Sequence, residues 1–324
     1  MATARLRTTS IHSFTSLPPV RNPFDESGVW LRCALHAHTT SSDGELSTRL
    51  LVRHYEWAEF DVLAITDHWV RTVEPSTERL LVIAGTELNA QAGGREHDAH
   101  VLALGVEADP ETPENEFESL PEVVRWIGDH GGVAYLAHPY CSGLRTDQFE
   151  DCEGLVGIEV YNAGCQLEVG RGDASLHWDE ALERGRPLYG IAADDSHHPG
   201  YDSSLAWVWA RCAERSQEAV LAALREGCFY SSAGPAIHSL EVDETAVVVR
   251  CSPAASVTLL AGRRRGARVN AGRLGYPHEG RILERDDDGA IVAARLERPS
   301  ETPYGRLEIT DAAGRRAWTN PLWI

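Results

Sequence analysis

The chain has 324 residues, 43% of them apolar and 24% charged, and a formal net charge of −19. No apolar run approaches the length of a membrane span, and so acidic a balance argues against a large nucleic-acid footprint, which needs clustered cations on the phosphates. All thirty basic residues are arginine. The lack of lysine excludes Schiff-base and pyridoxal-phosphate linkages, a P-loop, and a carboxylated lysine bridging two metals.

Residues 1–29 read as an irregular arm. They contain some arginine but no apolar stretch of the secretory kind, and Asp25 and Glu26 weigh against a transit peptide. Seven cysteines are scattered from Cys33 to Cys251 with no CxxC pair. That pattern predicts reduced thiols and a cytoplasmic location, with neither a disulfide frame nor a thiolate zinc site.

From residue 30 to 235 short apolar runs alternate with amphipathic stretches. Strands are predicted over 30–37, 61–66, 79–87, 100–106, 132–138, 154–162 and 187–194, with an eighth at 204–211. Continuous apolar runs of this length suit strands buried on both faces. Helices are predicted over "TRLLVRHYEWAEF", where Ser47 can cap, "LPEVVRWIGDHGG", "DASLHWDEALERG" and "SQEAVLAALREG". Strand and helix alternating this often predicts an α/β fold, either a parallel barrel or a doubly wound sheet. Over 236–324 alternating patterns and turn signals replace the helices, predicting a small all-β sandwich. Within it, Arg263–Arg265 lies between glycines and reads as an exposed hairpin turn.

The chemistry is carried by histidines and carboxylates at strand ends. His36 and His38, two apart at the end of "WLRCALHAH", project from one face of an extended segment, and Asp43 follows in the loop. "AITDH" sets Asp67 and His68 after the second strand, and "IAGTELN" sets Glu87 at the end of the third. His138 closes "VAYLAHP", and "AADDSHH" sets Asp195 and His197 two apart after the seventh. The C-terminal strand edge is where α/β barrels gather catalytic groups. His100 opens its run instead and must reach such a site by another geometry. Each histidine alone reads as a satisfied core or surface residue; the ordered set points to a metal site.

The set resembles the PHP (polymerase and histidinol phosphatase) superfamily, whose signatures are HxH with a downstream acid or histidine, TDH, a glutamate, an isolated histidine, a histidine before proline, and DxH. All occur in order across 36–197. The finer texture of "GTELNA", "IEVYNA", "ALREGCFYSSAGP" and "AWTNPLWI" is similar to the branch that includes carbamate-insecticide hydrolases.

The resemblance implies a distorted seven-stranded (β/α)7 barrel holding two to three divalent ions, Mn, Fe or Zn. A first ion takes His36, His38, Glu87 and Asp195. A second shares Glu87 and adds His100 and His138, and a third takes Asp43, His68 and His197. Imidazole and carboxylate ligands without thiolate suit a catalytic site, and Asp43 makes the third position harder, favouring Mn or Fe over Zn.

Three divalent charges against Asp43, Glu87 and Asp195 would leave a locally positive pocket suited to a phosphate dianion, with a metal-bridging hydroxide as nucleophile. Asp67 and Glu159 read either as groups orienting the ligand histidines or as buried hydrogen-bond partners. Arg71, Arg95 and Arg145 read either as solvated surface arginines or as candidates to hold an anionic substrate; His198 and Asp67 are the candidate acid and base groups, His198 reading otherwise as a turn residue after His197. The reading is a metal-dependent phosphoesterase acting on a small-molecule substrate. The alternatives are ester, amide or carbamate hydrolysis on the same metals, or a non-catalytic metal-binding scaffold. The sandwich is expected to supply no ligand, so that a chain ending near Ser239 would keep its metal site if it stays soluble.

Overall fold

The computed structural model describes residues 21–92, 98–110, 117–272 and 277–323. The chain begins with β1 (Val29–Ala34), α1 (Thr48–Trp57), β2 (Val62–Ile65), β3 (Leu81–Gln91) and β4 (Asp98–Leu104). Then come α2 (Leu120–Asp129), β5 (Val133–Leu136), β6 (Gly157–Asn162), α3 (Ala163–Val169), α4 (Ser175–Glu183) and β7 (Tyr189–Ala193). A short α5 (Pro199–Asp202), β8 (Trp207–Cys212), α6 (Gln217–Glu226) and β9 (Phe229–Ser232) complete this part. β2 and β5 are buried at every position, as strands covered on both faces must be. α1 shows the complementary pattern, burying Leu51, Val52 and Tyr55 on one stripe against Leu63, Ile65 and Leu80.

The strand order is β8-β1-β2-β3-β4-β5-β6-β7. β1, β2 and β3 run parallel, as do β5, β6 and β7, but β4 is antiparallel to both of its neighbours. Side chains from β1 to β5 and β7 to β9 share one core, which α6 covers with Val220, Leu221 and Leu224. The expected barrel needs correcting here, because the sheet is not closed. Beyond the last pairs of β7, a single parallel bridge, Ala37 with Ser196, joins its continuation to that of β1. Fold class is therefore mixed α/β with large sheets and few helices.

The rest of the chain is β10 (Ile237–Val242), β11 (Ala246–Ala254), β12 (Ser256–Ala261), β13 (Arg265–Asn270), β14 (Gly280–Arg285), β15 (Ile291–Glu297), β16 (Gly305–Thr310) and β17 (Arg316–Thr319). A four-stranded sheet, β10-β11-β15-β14, shares a core with β12, β13 and β16 that includes Val247, Val257, Leu296 and Ile309. Arg263 and Arg264, both at positive φ, lie in the turn between β12 and β13, and Arg265 opens β13. The second layer is not an appendage of separate strands. β17 pairs with β9, so one sheet of thirteen strands runs from β13 to β7. Arg306 on β16, fully buried, donates two hydrogen bonds to Asp179 on α4 at 2.7 and 2.8 Å. Among the described residues no helix is long and apolar enough to cross a membrane.

Candidate metal centre

The continuation of β1 carries His36 and His38 to the edge where β2, β3, β5, β6 and β7 end. The bridge at Ala37 keeps this segment extended, so the two rings share a face and meet Nε2 to Nε2 at 3.1 Å. Both are fully buried. Asp195 Oδ1 lies 3.1 Å from His36 Nε2 and 3.3 Å from His38 Nε2. Glu87 arrives from β3 and divides its oxygens. Its Oε2 faces His36, His38 and His68 at 3.1, 3.3 and 3.3 Å, and its Oε1 faces His100 and His138 at 2.9 and 3.2 Å.

His100 reaches the site because β4 is antiparallel. The start of that strand lies beside the ends of its neighbours, and His100 stands opposite Asn89 of β3. Asp43 is supplied by the tight loop after His38. Its oxygens lie 3.4 Å from His197 Nε2 and 3.7 Å from His68 Nε2. Gly44 makes this loop possible, since a Cβ there would stand 2.3 Å from the His38 carbonyl oxygen.

Three sets of donor atoms lie close enough together to hold an ion: His36, His38, Glu87 and Asp195; His38, Asp43, His68 and His197; and His68, Glu87 and His100. The first matches the set expected from sequence. The second adds His38 to its expected members. In the third, His68 stands where His138 was expected, while His138 Nε2 keeps 3.2 Å from Glu87 and 3.9 Å from Asp195.

The surrounding groups explain why these side chains stay in place. Glu159 is fully buried. Its Oε1 lies 2.8 Å from His36 Nδ1, while Oε2 accepts from the His138 N–H at 2.8 Å and from Asn162 Nδ2 at 2.7 Å. Asn162 also donates to Asp195 Oδ2 at 3.1 Å. Asp67 has a different task. It accepts from the Thr39 N–H and hydroxyl, the Ser42 hydroxyl and the Thr72 hydroxyl, so its carboxylate fastens the Asp43 loop. Fully engaged there, it touches none of the clustered histidines and is not placed to move a proton at the centre.

Asp194, next to Asp195, accepts from the N–H groups of Ser204, Leu205 and Ala206 and from the Tyr55 hydroxyl. His138 and Asp195 adopt φ of 28° and 55°, conformations that the packing must impose.

The electrostatics are those of an anionic cluster with too few cations. Burial opposes charging of His36, but Asp195, Glu87 and Glu159 outweigh it and hold its pKa well above the ordinary range. His38 is likewise carried up to about 9 against burial by Asp195 and Glu87, and His100 to about 10 by Glu87 and Asp98. Burial favours the neutral form of Glu87 and Asp195, yet the adjacent histidines hold both carboxyls well below their usual range. At His68 burial wins, and its pKa is lowered despite Glu87.

The candidate substrate and acid groups are less well gathered. Arg71 donates through Nε to the Val106 carbonyl at 2.7 Å. Arg145 is exposed and paired with Asp147 at 3.1 Å. Arg95 lies outside the described residues. His198 is exposed beside His197, with Nδ1 3.5 Å from Glu45.

Sequence reasoning missed Asn162, Asp194 and Asp98, whose carboxylate lies 3.8 Å from His100 Nε2. Asp98 was discoverable, because it stands two residues before His100 and shares its face of β4. Asn162 was not, because a register shift in β6 between Glu159 and Tyr161 re-aims it.

No family model matches the sequence, and no curated protein matches it. Among solved structures, the chain is similar to a two-domain protein of Bacteroides vulgatus described as containing a predicted PHP-like metal-dependent phosphoesterase. The identity is 16% and the TM-score 0.47, covering 94% of this chain and 97% of that one. It is also similar to an amidohydrolase of Chromobacterium violaceum solved with sulfate and no metal, at 19% identity and a TM-score of 0.39, covering 52% of this chain and 89% of that one. A third is a Bifidobacterium adolescentis protein assigned as a metal-dependent phosphoesterase, with 17% identity, a TM-score of 0.41, and coverage of 52% and 88%.

Proposed function

We propose that the protein is a metal-dependent hydrolase of the PHP superfamily, and that its substrate is a small phosphate ester. The observation that carries this reading is the convergence on Glu87, which is buried with His36 and His38 and whose two oxygens face separate sets of imidazoles.

The donor set fits metal ions. His36 Nε2, His38 Nε2, Glu87 Oε2 and Asp195 Oδ1 point at one small space, and only one proton can lie between two facing imidazole nitrogens. Such buried, converging lone pairs are relieved by a cation. His36, His38, Glu87 and Asp195 would hold one ion. Glu87 and His100, with His68 or His138, would hold a second; Asp43, His68 and His197 would hold a third. Bound there, divalent ions supply Lewis-acid charge and lower the pKa of water.

The chain's own residues do the rest. Glu159 keeps the His36 proton on Nδ1, leaving Nε2 as a donor to the centre. Asp67 holds the Asp43 loop in register, and Asn162 fixes the Asp195 carboxylate. His198, on the rim beside His197 with its Nδ1 3.5 Å from Glu45, is the proposed proton donor to the leaving oxygen.

Room for three ions favours a phosphate dianion, which needs several positive partners. A second reading, hydrolysis of a neutral carbamate or amide, is favoured by the arginines, since Arg71 and Arg145 are both committed elsewhere. It is also favoured by Trp69, which is stacked on Phe117 at 5.5 Å beside the site. Steady-state rates on p-nitrophenyl phosphate and a neutral aryl carbamate, with the same metal, separate the two. The phosphate ester should be preferred and inorganic phosphate should inhibit. Preference for the carbamate without phosphate inhibition would overturn the phosphoesterase assignment.

A further inference from the structure

Holding a phosphate dianion calls for a cation that is not already engaged inside the protein. Among the described residues, Arg71, Arg145 and Arg171 follow within ten residues of β2, β5 and β6, strands that end at the metal centre. Arg71 gives its Nε–H to the Val106 carbonyl, and Arg145 is paired with Asp147. Arg171, which sequence reasoning passed over, is exposed and differs from both. Among the described residues its guanidinium meets no carboxylate and no carbonyl. It rests against the Tyr140 ring, with Cζ 5.8 Å from the centroid. An arginine held by a ring face keeps its N–H edge for an anion.

The backbone fixes where this cation stands. Arg171 follows α3, and Gly170, at φ 69°, turns the chain back. The Arg171 N–H bonds to the Cys165 carbonyl at 3.3 Å, and the Gly172 carbonyl accepts the Asn162 N–H at 3.0 Å. A Cβ at position 172 would stand 2.2 Å from the Asn162 carbonyl oxygen, so only glycine lets the loop close there. Asn162 is the residue that donates to Glu159 and Asp195. Tyr140 hangs from the opposite side, two residues after His138. Its loop is closed by the Ser142 N–H on the His138 carbonyl and the Leu144 N–H on the Pro139 carbonyl. Arg171 and Tyr140 therefore meet across two segments that each carry a group of the centre. Tyr140 is 41% exposed, so they meet on the solvent side.

We infer that Arg171 is a substrate-binding residue that holds the phosphoryl oxygens at the mouth of the centre, with Tyr140 steadying its guanidinium. The inference rests on the phosphoesterase reading and gives it the anion partner that Arg71 and Arg145 do not supply. A planar guanidinium takes two oxygens of a dianion at once, whereas a neutral carbamate offers it no charge.

Arg171→Gln and Arg171→Lys, made in the full chain and loaded with Mn²⁺, test it with inorganic phosphate as the probe. Calorimetric phosphate affinity should fall about tenfold in Arg171→Gln and recover in part in Arg171→Lys, with metal content unchanged in both. On p-nitrophenyl phosphate, KM should rise by a similar factor while kcat changes less. Wild-type phosphate affinity in Arg171→Gln would overturn the inference and leave the phosphoesterase assignment standing. Loss of metal together with phosphate would overturn it too, by making the residue a structural one. Metal-loaded wild-type protein that neither binds phosphate nor hydrolyses the ester would overturn both.

Discussion

Glu159→Gln is nearly isosteric, yet it should disable His36 as a ligand. The wild-type carboxylate faces one imidazole nitrogen, His36 Nδ1, and two donors, the His138 N–H and Asn162 Nδ2, at 2.7 to 2.8 Å. A glutamine can direct its single oxygen to only one side. Turned towards His36, it leaves two buried donors facing an NH₂ group, at roughly 1–3 kcal/mol each. Turned the other way, it satisfies both donors and presents N–H to His36 Nδ1, which must then accept. The proton of the neutral imidazole moves to Nε2, the atom that faces Glu87 and Asp195. The second arrangement avoids the larger cost, so the variant should fold but hold its metal less well. Loss of an outer hydrogen bond to a ligand histidine costs about 10- to 100-fold in metal affinity, or about 1.4–2.7 kcal/mol. Titrating Mn²⁺ into chelated wild-type and variant protein, with circular dichroism to check folding, measures it. Wild-type affinity in a folded Glu159→Gln protein would refute the reasoning.

Arg306→Met should destabilise the protein by about 3 kcal/mol, by leaving Asp179 without its buried partner. The midpoint of urea denaturation reads this, and a loss below 1 kcal/mol would show that Asp179 reaches water instead. Ending the chain near Ser239 should give aggregated protein, because it strips β17 from β9 and removes Trp318 and Asn320. Asn320 bonds to Gly190, Gly227 and Phe229. A soluble, monomeric truncated chain in size-exclusion chromatography would contradict this.

Most of the centre was legible because its logic is local. The two-residue spacing of His36 and His38 fixes a shared face wherever the segment is extended, and strand ends collect the remaining groups. What could not be read depends on pairing between distant segments. An apolar run does not disclose whether β4 is parallel or antiparallel, yet that orientation alone brings His100 to the centre. The alternating strands after residue 236 predict a sandwich, but not that β17 returns to β9 and makes its sheet continuous with that of β1. Asp67 shows the reverse limit. Its place in the TDH motif suggests chemistry, whereas the hydroxyls of Thr39, Ser42 and Thr72 occupy it as a loop anchor. The arginines chosen for substrate lie in the right loops but turn to a carbonyl or a neighbouring carboxylate, a choice that loop sequence does not encode.

The central claim is that Glu87 joins two metal positions of a hydrolytic centre. Elemental analysis of purified wild-type protein and Glu87→Ala, alongside their hydrolytic rates, tests it most directly. The account predicts two to three transition-metal equivalents in the wild type, loss of more than one equivalent in the variant, and loss of activity with them. Full activity in metal-free protein, or loss of one equivalent or less from Glu87→Ala, would contradict it.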